Sequence, residues 1–452
     1  MSHDIKRRDF FRYGLEGSAL VAGSAVAAKA VTNDDSASEY SARPWWVKEV
    51  DSPPYAVDEK RYQRFDQKKN VFGSMIKYVG GDRFMELQRI NQERGKQYIK
   101  EGKPGYRIED RALANAARTL WATGGINQGM RSWTGTSGRA ANRRRITRYE
   151  GSPQEAANLV KKAGRYFGAA LTGIAPLDRR HIFAKSRDME IVFEPVDIPY
   201  EVKGEKLVIP VGCRYAVAVA VQMSLDTLQC TPTAVGAAGT YLGYSRLEFL
   251  VGSLAEFIRN LGYVAIPSMN DLGASVPIAI DAGLGELGRT NRLVTPEYGH
   301  AVRLGKILTD LPMTTDKPIR FGMREFCMAC RRCAEACPAN VISTKDGPDF
   351  EVQGEWSNPG HEGWFENSPN CLAFWRENTQ SCSICVTVCP WTKKDKTLIH
   401  DIVKAASAEF PGMAGVYTTL DKAFGYGEQK DSVDWWNLDL PEYGIDTTQG
   451  KG

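Results

Sequence analysis

The residues in this chain best suited to chemistry are its cysteines. Eight of the ten fall between Cys327 and Cys389, and only Cys213 and Cys230 lie outside. The segment CMACRRCAEACP spaces Cys327, Cys330, Cys333 and Cys337 as C-x2-C-x2-C-x3-C-P, a spacing that holds [4Fe–4S] clusters. The short intervals let three thiolates from one tight loop reach three corners of a cube, while the fourth faces away toward a neighbouring cluster. Pro338 then stops the chain from continuing as a regular helix.

A second set follows, made of Cys371, Cys382, Cys385 and Cys389. It ends in the same C-x2-C-x3-C-P, but ten residues rather than two separate its leading cysteine from the next. Eight ligands make two cubanes. The expected division is Cys327, Cys330, Cys333 and Cys389 for one, and Cys371, Cys382, Cys385 and Cys337 for the other. Four-cysteine zinc sites also use paired C-x2-C, but zinc explains neither the x3-C-P endings nor the crossed pattern. Cys213 and Cys230 read as buried thiols.

GLGELG at Gly283–Gly288 has the G-x-G-x-x-G form of a dinucleotide loop. A strand is expected before it, over VPIAI, but Pro296 arrives too soon for the long helix a phosphate site needs. Nucleotide binding is therefore not the favoured reading. The run RAANRRRITRYEG, with Arg139, Arg143, Arg144, Arg145 and Arg148, reads as a solvated basic face.

The elements that position these groups alternate helix and strand from about 150 to 310. SPQEAANLVKKAG carries a cap signal followed by proline at the first helical position, predicting a helix over 152–174. MEIVFE reads as a strand. YAVAVAV alternates strictly, with Tyr215, Val217, Val219 and Val221 on one face and Ala216, Ala218 and Ala220 on the other. The valine face should fill a core, and the alanine face leaves room for something broad and flat or for a packed helix. SRLEFLVGSLAEFIRNLG predicts a helix with Ser245 and Glu248 as a capping box and Gly262 as its stop. YVAIPSM reads as another strand. Before 150 the pattern is mixed, with one helix expected over Ile108–Trp121 and an extended arm over 31–65 that Trp45 and Trp46 would anchor.

The N-terminus begins with KRRDFF and continues through a Gly/Ala-rich apolar stretch to AKA at Ala28–Ala30. Paired arginines, an apolar run and a small-residue exit, in that order, predict a twin-arginine export signal over 1–30. That stretch is too short to predict a membrane span, and no later segment offers 18 uninterrupted apolar residues. The 452 residues carry 42% hydrophobic and 25% charged side chains, ordinary for a globular protein. Without residues 1–30, which hold five basic and three acidic side chains, the formal charge falls from +4 to +2. Near-neutrality gives no argument for nucleic acid as a partner.

Together the leader, the two cluster motifs and LGYSRLEFLVGSLAEFIRNLGYVAIPSMND, AGLGELGR and TPEYGHAVRLGKILTDLP resemble the respiratory reductive dehalogenases. The resemblance covers the leader and roughly residues 235–395, and the N-terminal third matches less recognisably. It implies an α+β fold, in which a nitroreductase-like α/β domain binding a corrinoid (a cobamide held base-off) precedes a bacterial ferredoxin-like domain with two [4Fe–4S] clusters. The implied division is a signal peptide over 1–30, a covering region over 31–150, a corrinoid-binding core over 151–315, the cluster domain over 316–400 and an extension over 401–452.

The implied reaction replaces carbon–halogen by carbon–hydrogen with two electrons and a proton. A small halogenated organic substrate, a small membrane-anchor protein and a membrane electron donor would be its partners, at the outer face of the cytoplasmic membrane. The absence of D-x-H-x-x-G agrees with a cobalt that takes no histidine from the chain. The family's catalytic residues carry over onto Tyr244, Asn270 and Arg303, and Gly283, Gly285 and Glu286 are candidate corrinoid contacts. A phenol, with an ordinary pKa of about 10, is a slow proton source; a neighbouring guanidinium favours its phenolate and makes it a better acid. Asn270 would orient the pair. Trp356, Trp364 and Trp375 are candidates to line an apolar pocket. An exported two-cluster electron carrier and an epoxyqueuosine-reductase-like corrinoid enzyme are the alternatives, and cobalt content separates the carrier from both corrinoid enzymes.

Overall fold

The alternating valines and alanines of YAVAVAV form the central strand around which the layers are built. The computed structural model describes residues 43–135, 147–393 and 398–441. Its main strands are β1 (Leu171–Pro176), β2 (Met189–Glu194), β3 (Lys206–Pro210), β4 (Tyr215–Gln222), β5 (Ala265–Ser268) and β6 (Val302–Thr309). One four-stranded sheet runs β1-β4-β6-β5, antiparallel throughout, with Val221 opposite Arg303 and Val219 opposite Gly305. A second sheet pairs β2 with β3 in parallel, Ile191 opposite Leu207.

The helices that matter for the site are α1 (Val71–Val79), α2 (Gly81–Lys100), α3 (Ile108–Ala117), α4 (Pro153–Tyr166), α5 (Ala234–Asn260), α6 (Ser275–Asp281), α7 (Met323–Ala329), α8 (Ser368–Asn378), α9 (Leu398–Glu409) and α10 (Ala414–Ala423). The helix expected over Ile108–Trp121 breaks at Arg118 into α3 and a single turn over Thr119–Ala122. The α4 start follows its signal: Ser152 Oγ accepts from Glu155 N, the Glu155 carboxylate accepts from Ser152 N at 2.8 Å, and Pro153 opens the helix. Its end does not match the expected 152–174: the helix stops at Tyr166, and Leu171–Pro176 is a strand.

The valine face of β4 fills a core with Leu247, Leu250, Val251, Leu254 and Ile258 of α5, as expected. The alanine face is also covered, by Ile278, Ala279 and Ile280 of α6 together with Ile266 and Leu308. Small side chains there admit a helix of the chain itself, so no broad cofactor lies against them. That helix is α6, formed from the VPIAI expected to be a strand; a short apolar run does not distinguish a buried helix from a strand.

The longest helix starts earlier than expected. α5 begins at Ala234, capped by Thr233, whose hydroxyl accepts from Gly236 N, so Ser245 lies in mid-helix. Gly236, Gly239 and Gly243 weaken the intrinsic propensity of the turns that open it, and packing overrides them. Ser245 and Glu248 therefore do not form a capping box. Ser245 Oγ donates to Ala117 O at 2.7 Å, and Glu248 pairs with Arg131 at 2.9 Å.

The arm enters the cysteine region directly. Lys48–Glu49 pairs with Ile319–Arg320, and Trp46 is buried against Phe321 and Trp391. Among the described residues, no helix is long and apolar enough to cross a membrane. The expected export signal and Arg139, Arg143, Arg144 and Arg145 lie outside the described residues.

Candidate functional site

Tyr244, Asn270 and Arg303 come from three different elements and meet. Tyr244 stands in the middle of α5, Asn270 follows β5, and Arg303 projects from β6. Asn270 Nδ2 donates to Tyr244 Oη at 3.0 Å, and the Arg303 guanidinium carbon lies 4.9 Å from the Tyr244 ring centroid. Trp121 stacks on the same ring, 5.0 Å between centroids and 18° between planes. Arg303 donates to Thr240 Oγ1 at 3.3 Å, while its buried Nε has no partner. Tyr244 is half-buried and Asn270 exposed, so the phenol oxygen sits at an accessible edge of a rigid layer. Because Asn270 supplies a donor, the phenol's own proton remains available to point elsewhere. Tyr241, one residue past Thr240, stacks on Trp121 at 5.8 Å and takes no part in this contact.

A buried charged scaffold holds the Asn270 loop. Asp271 accepts from Ser268 Oγ at 2.9 Å and Met269 N at 3.3 Å, and Arg131 bridges Asp271 to Glu248. Lys306, fully buried in β6, donates to Met269 O and to Ser275 Oγ at 3.1 Å. Burial lowers its ammonium to about 7. Sequence reasoning passed over this lysine, although a lone charge in the apolar strand VRLGKILT was its visible signal.

The eight cysteines gather in two groups. The Cys327 thiol, raised by burial, has Cys333, Cys330 and Cys389 as its charged neighbours. Cys371 faces Cys385 and Cys382, and both of those face Cys337. Cys389 thus packs with Cys327 and Cys330, and Cys337 with Cys371 and Cys385, while Cys333 adjoins both Cys389 and Cys385. Among the described residues no group of three or more His, Cys, Asp or Glu side chains is arranged around a single ion. The second group reaches the tyrosine site: Ser383 Oγ, between Cys382 and Cys385, is 3.4 Å from Thr240 Oγ1, one helical turn before Tyr244.

The glycine-rich segment lies elsewhere and has another task. A Cβ on Gly285 would sit 2.1 Å from Val294 O, and one on Gly283 (φ +72°) 2.3 Å from Lys317 O. Only glycine admits these approaches. The Glu286 carboxylate accepts from Phe321 N and from Met323 N at 3.4 Å, and burial pushes it up to about 7. Gly283, Gly285 and Glu286 thus pack against the chain itself. No long helix follows them; Glu286–Leu287 pairs instead with Leu293–Val294.

The three tryptophans separate. Trp356 lines a cavity of about 260 Å³ with Tyr55, Tyr62, Val276, Arg292 and His361. Trp364 is buried in the core that holds Cys327, Cys330 and Cys389. Trp375 contacts Phe72 with tilted rings, 5.9 Å between centroids. The cavity's wall includes Ala274, four residues past Asn270, and the Arg292–Glu366 pair that faces Cys385 and Cys371. None of the four described histidines joins the tyrosine site: His181 bonds Tyr62 and Asp281, His300 bonds Leu293 O, His361 contacts Asn291, and His400 bonds Tyr426. Cys213 and Cys230 are buried.

Two family profiles match the chain. One, described as reductive dehalogenase subunit, covers residues 42–183; the other, a 4Fe-4S double cluster binding domain, covers 326–392. The first falls on the part where resemblance was least recognisable. Tetrachloroethene reductive dehalogenase of Sulfurospirillum multivorans is 35% identical over 65% of the chain and 61% of its own length. Chloroethene reductive dehalogenase of Dehalococcoides mccartyi (strain VS) is 25% identical over 98% of both. The chain thus matches less than two thirds of the Sulfurospirillum relative. A solved reductive dehalogenase, described with a mechanism for B12-dependent dehalogenation, shares the fold at 21% identity, with a TM-score of 0.62 over 89% of this chain and 53% of that one.

Proposed function

We propose that the chain, which is similar to reductive dehalogenases along its length, removes halogen from a small organohalide as the terminal step of an anaerobic respiration. The reaction consumes two electrons and one proton, releases halide and leaves carbon–hydrogen where carbon–halogen was. The observation that carries this reading is the meeting of Tyr244, Asn270 and Arg303 beside Thr240, against which the Cys382–Cys385 loop packs. An acid site and an electron source are thus neighbours.

Tyr244 donates the proton from Oη. Asn270 Nδ2 and the Arg303 charge offset the negative charge that develops on that oxygen as the proton leaves. Trp121 fixes the ring plane and excludes water from one face. Cys327, Cys330, Cys333 and Cys389 hold one [4Fe–4S] cluster, and Cys371, Cys382, Cys385 and Cys337 the other. A corrinoid held base-off, without a histidine from the chain, would supply the reducing centre that breaks the carbon–halogen bond. The unpartnered Arg303 Nε and the scattered histidines fit such a group. Tyr244, Asn270 and Arg303 would bound it on one side, and the cavity beside Arg292 and Trp356 would take part of it.

The antiparallel four-stranded sheet between α5 and α6 supports a nitroreductase-like core. The paired arginines of the leader support twin-arginine export, and export supports a peripheral location on the outer face with a small membrane-anchor protein and a membrane electron donor as partners. Metal analysis of anaerobically purified protein tests the reading. About eight irons and one cobalt per chain are expected; the same iron without cobalt, after reconstitution with a cobamide, would leave an electron carrier.

A further inference from the structure

The two cysteine groups differ sharply in the charges around them. Beside the first stands Arg289, a guanidinium 1% exposed. It makes four side-chain hydrogen bonds, all to carbonyl oxygens: Cys327 O at 3.0 and 2.6 Å, Ser343 O at 2.8 Å and Lys345 O at 2.7 Å. Its backbone N–H points at Cys327 Sγ, 3.4 Å away, and its guanidinium lies 4.9 Å from the Trp364 ring centroid. Among the described residues no carboxylate salt-bridges it, and the charged neighbours it feels include Cys327, Cys333 and Cys330. Beside Cys389, Lys393 and Arg332 both pair with Asp421, and Lys393 and Asp421 act on the Cys389 thiol with opposite sign. Arg289 therefore places beside the first group a positive charge that no described carboxylate pairs.

The second group does not. Its one nearby guanidinium, Arg292, is clamped by both oxygens of Glu366, at 2.9 and 2.7 Å. Arg292 and Glu366 form a bidentate ion pair, so the pair carries no net charge beside Cys371 and Cys385.

Reduction adds negative charge to a cluster, and net charge and hydrogen bonds to sulfur set its potential. We propose that Arg289 is a redox-positioning residue: it raises the potential of the Cys327/Cys330/Cys333/Cys389 site above that of the Cys371/Cys382/Cys385/Cys337 site, whose own cation Glu366 neutralises. A single electron, delivered by a low-potential one-electron donor, then resides at the Arg289 side. The site beside Thr240 and Tyr244 fills only when a second electron arrives, so the two electrons of the reaction are both at hand before it begins. Arginine suits this role because it keeps its charge when buried, and its carbonyl partners satisfy it without cancelling that charge.

The inference rests on the two-cluster reading, and the tests separate. Iron is measured first in the full-length protein; a chain that holds no clusters overturns that reading. With about eight irons present, the potentials are read by EPR-monitored redox titration. Arg289→Gln should lower one midpoint by at least tenfold in the reduced-to-oxidised ratio, ~59 mV for one electron, and leave the other in place. Arg289→Lys should restore most of the loss. Glu366→Gln frees the Arg292 charge and should raise the other midpoint. Unmoved midpoints in Arg289→Gln with full iron would overturn the proposal. If that variant loses iron, Glu366→Gln decides, and the absence of a rise overturns it.

Discussion

At the scale of single residues, three side chains scattered over the sequence as Tyr244, Asn270 and Arg303 become neighbours because α5, β5 and β6 pack together. Their identities came from resemblance; spacing alone gave Tyr244 no advantage over Tyr241, since both face Trp121. What separates them is the Asn270 hydrogen bond, which only Tyr244 receives. Tyr244→Phe should keep iron and cobalt but lose dehalogenation by roughly 10²–10⁴, the usual worth of a general acid, whereas Tyr241→Phe should retain most of the rate; halide release measures both. Cys382→Ser should lower iron from about eight toward about four per chain. Unchanged iron would reassign the ligands.

At the scale of elements, the Asn270 loop depends on a strand below it. Lys306 lies in β6 and holds the loop through Met269 O and Ser275 Oγ. Its ammonium falls from the ordinary 10.5 to about 7 through burial. The unfolded chain therefore binds the proton more readily between those values, and stability rises with pH there. The burial penalty is full below about 7 and fades as pH climbs. Lys306→Met should flatten this rise in a series of denaturant midpoints from pH 7 to 10. Ser152→Ala removes the α4 cap and should cost about 1 kcal/mol, measurable in the same experiment with no change in metal content. The α4 cap was legible because Ser152, Pro153 and Glu155 act within one turn. The start of α5 was not, because Gly236, Gly239 and Gly243 are held helical by what packs on them.

At the scale of the whole molecule, the layered core and the cysteine region are stabilised differently. The first closes on itself through β4, α5 and α6. The second surrounds its thiols with short helices and a small aromatic core of Trp46, Phe321, Phe326 and Trp391. Metal binding is folding free energy for such a region. Stripping iron with chelator under mild oxidation should expose amides over 326–392 to hydrogen exchange while β1, β4 and β6 stay protected. Uniform loss of protection would make the two parts one cooperative unit. The pairing of Lys48–Glu49 with Ile319–Arg320 predicts that the arm follows the cysteine region.

Local rules let the sequence determine the cysteine motifs, the faces of β4, the α4 cap and the stop at Gly262. In each, the deciding residues lie within a few positions of one another, where spacing is geometry. Tertiary structure alone decided that VPIAI is a helix, that the alanine face is filled by it, that Gly283 and Gly285 make room for the chain's own carbonyls, and that Glu286 receives backbone donors. It also decided that Arg289 stands uncompensated while Arg292 meets Glu366. These outcomes turn on which distant segment occupies the neighbouring space, and a linear pattern carries no record of that.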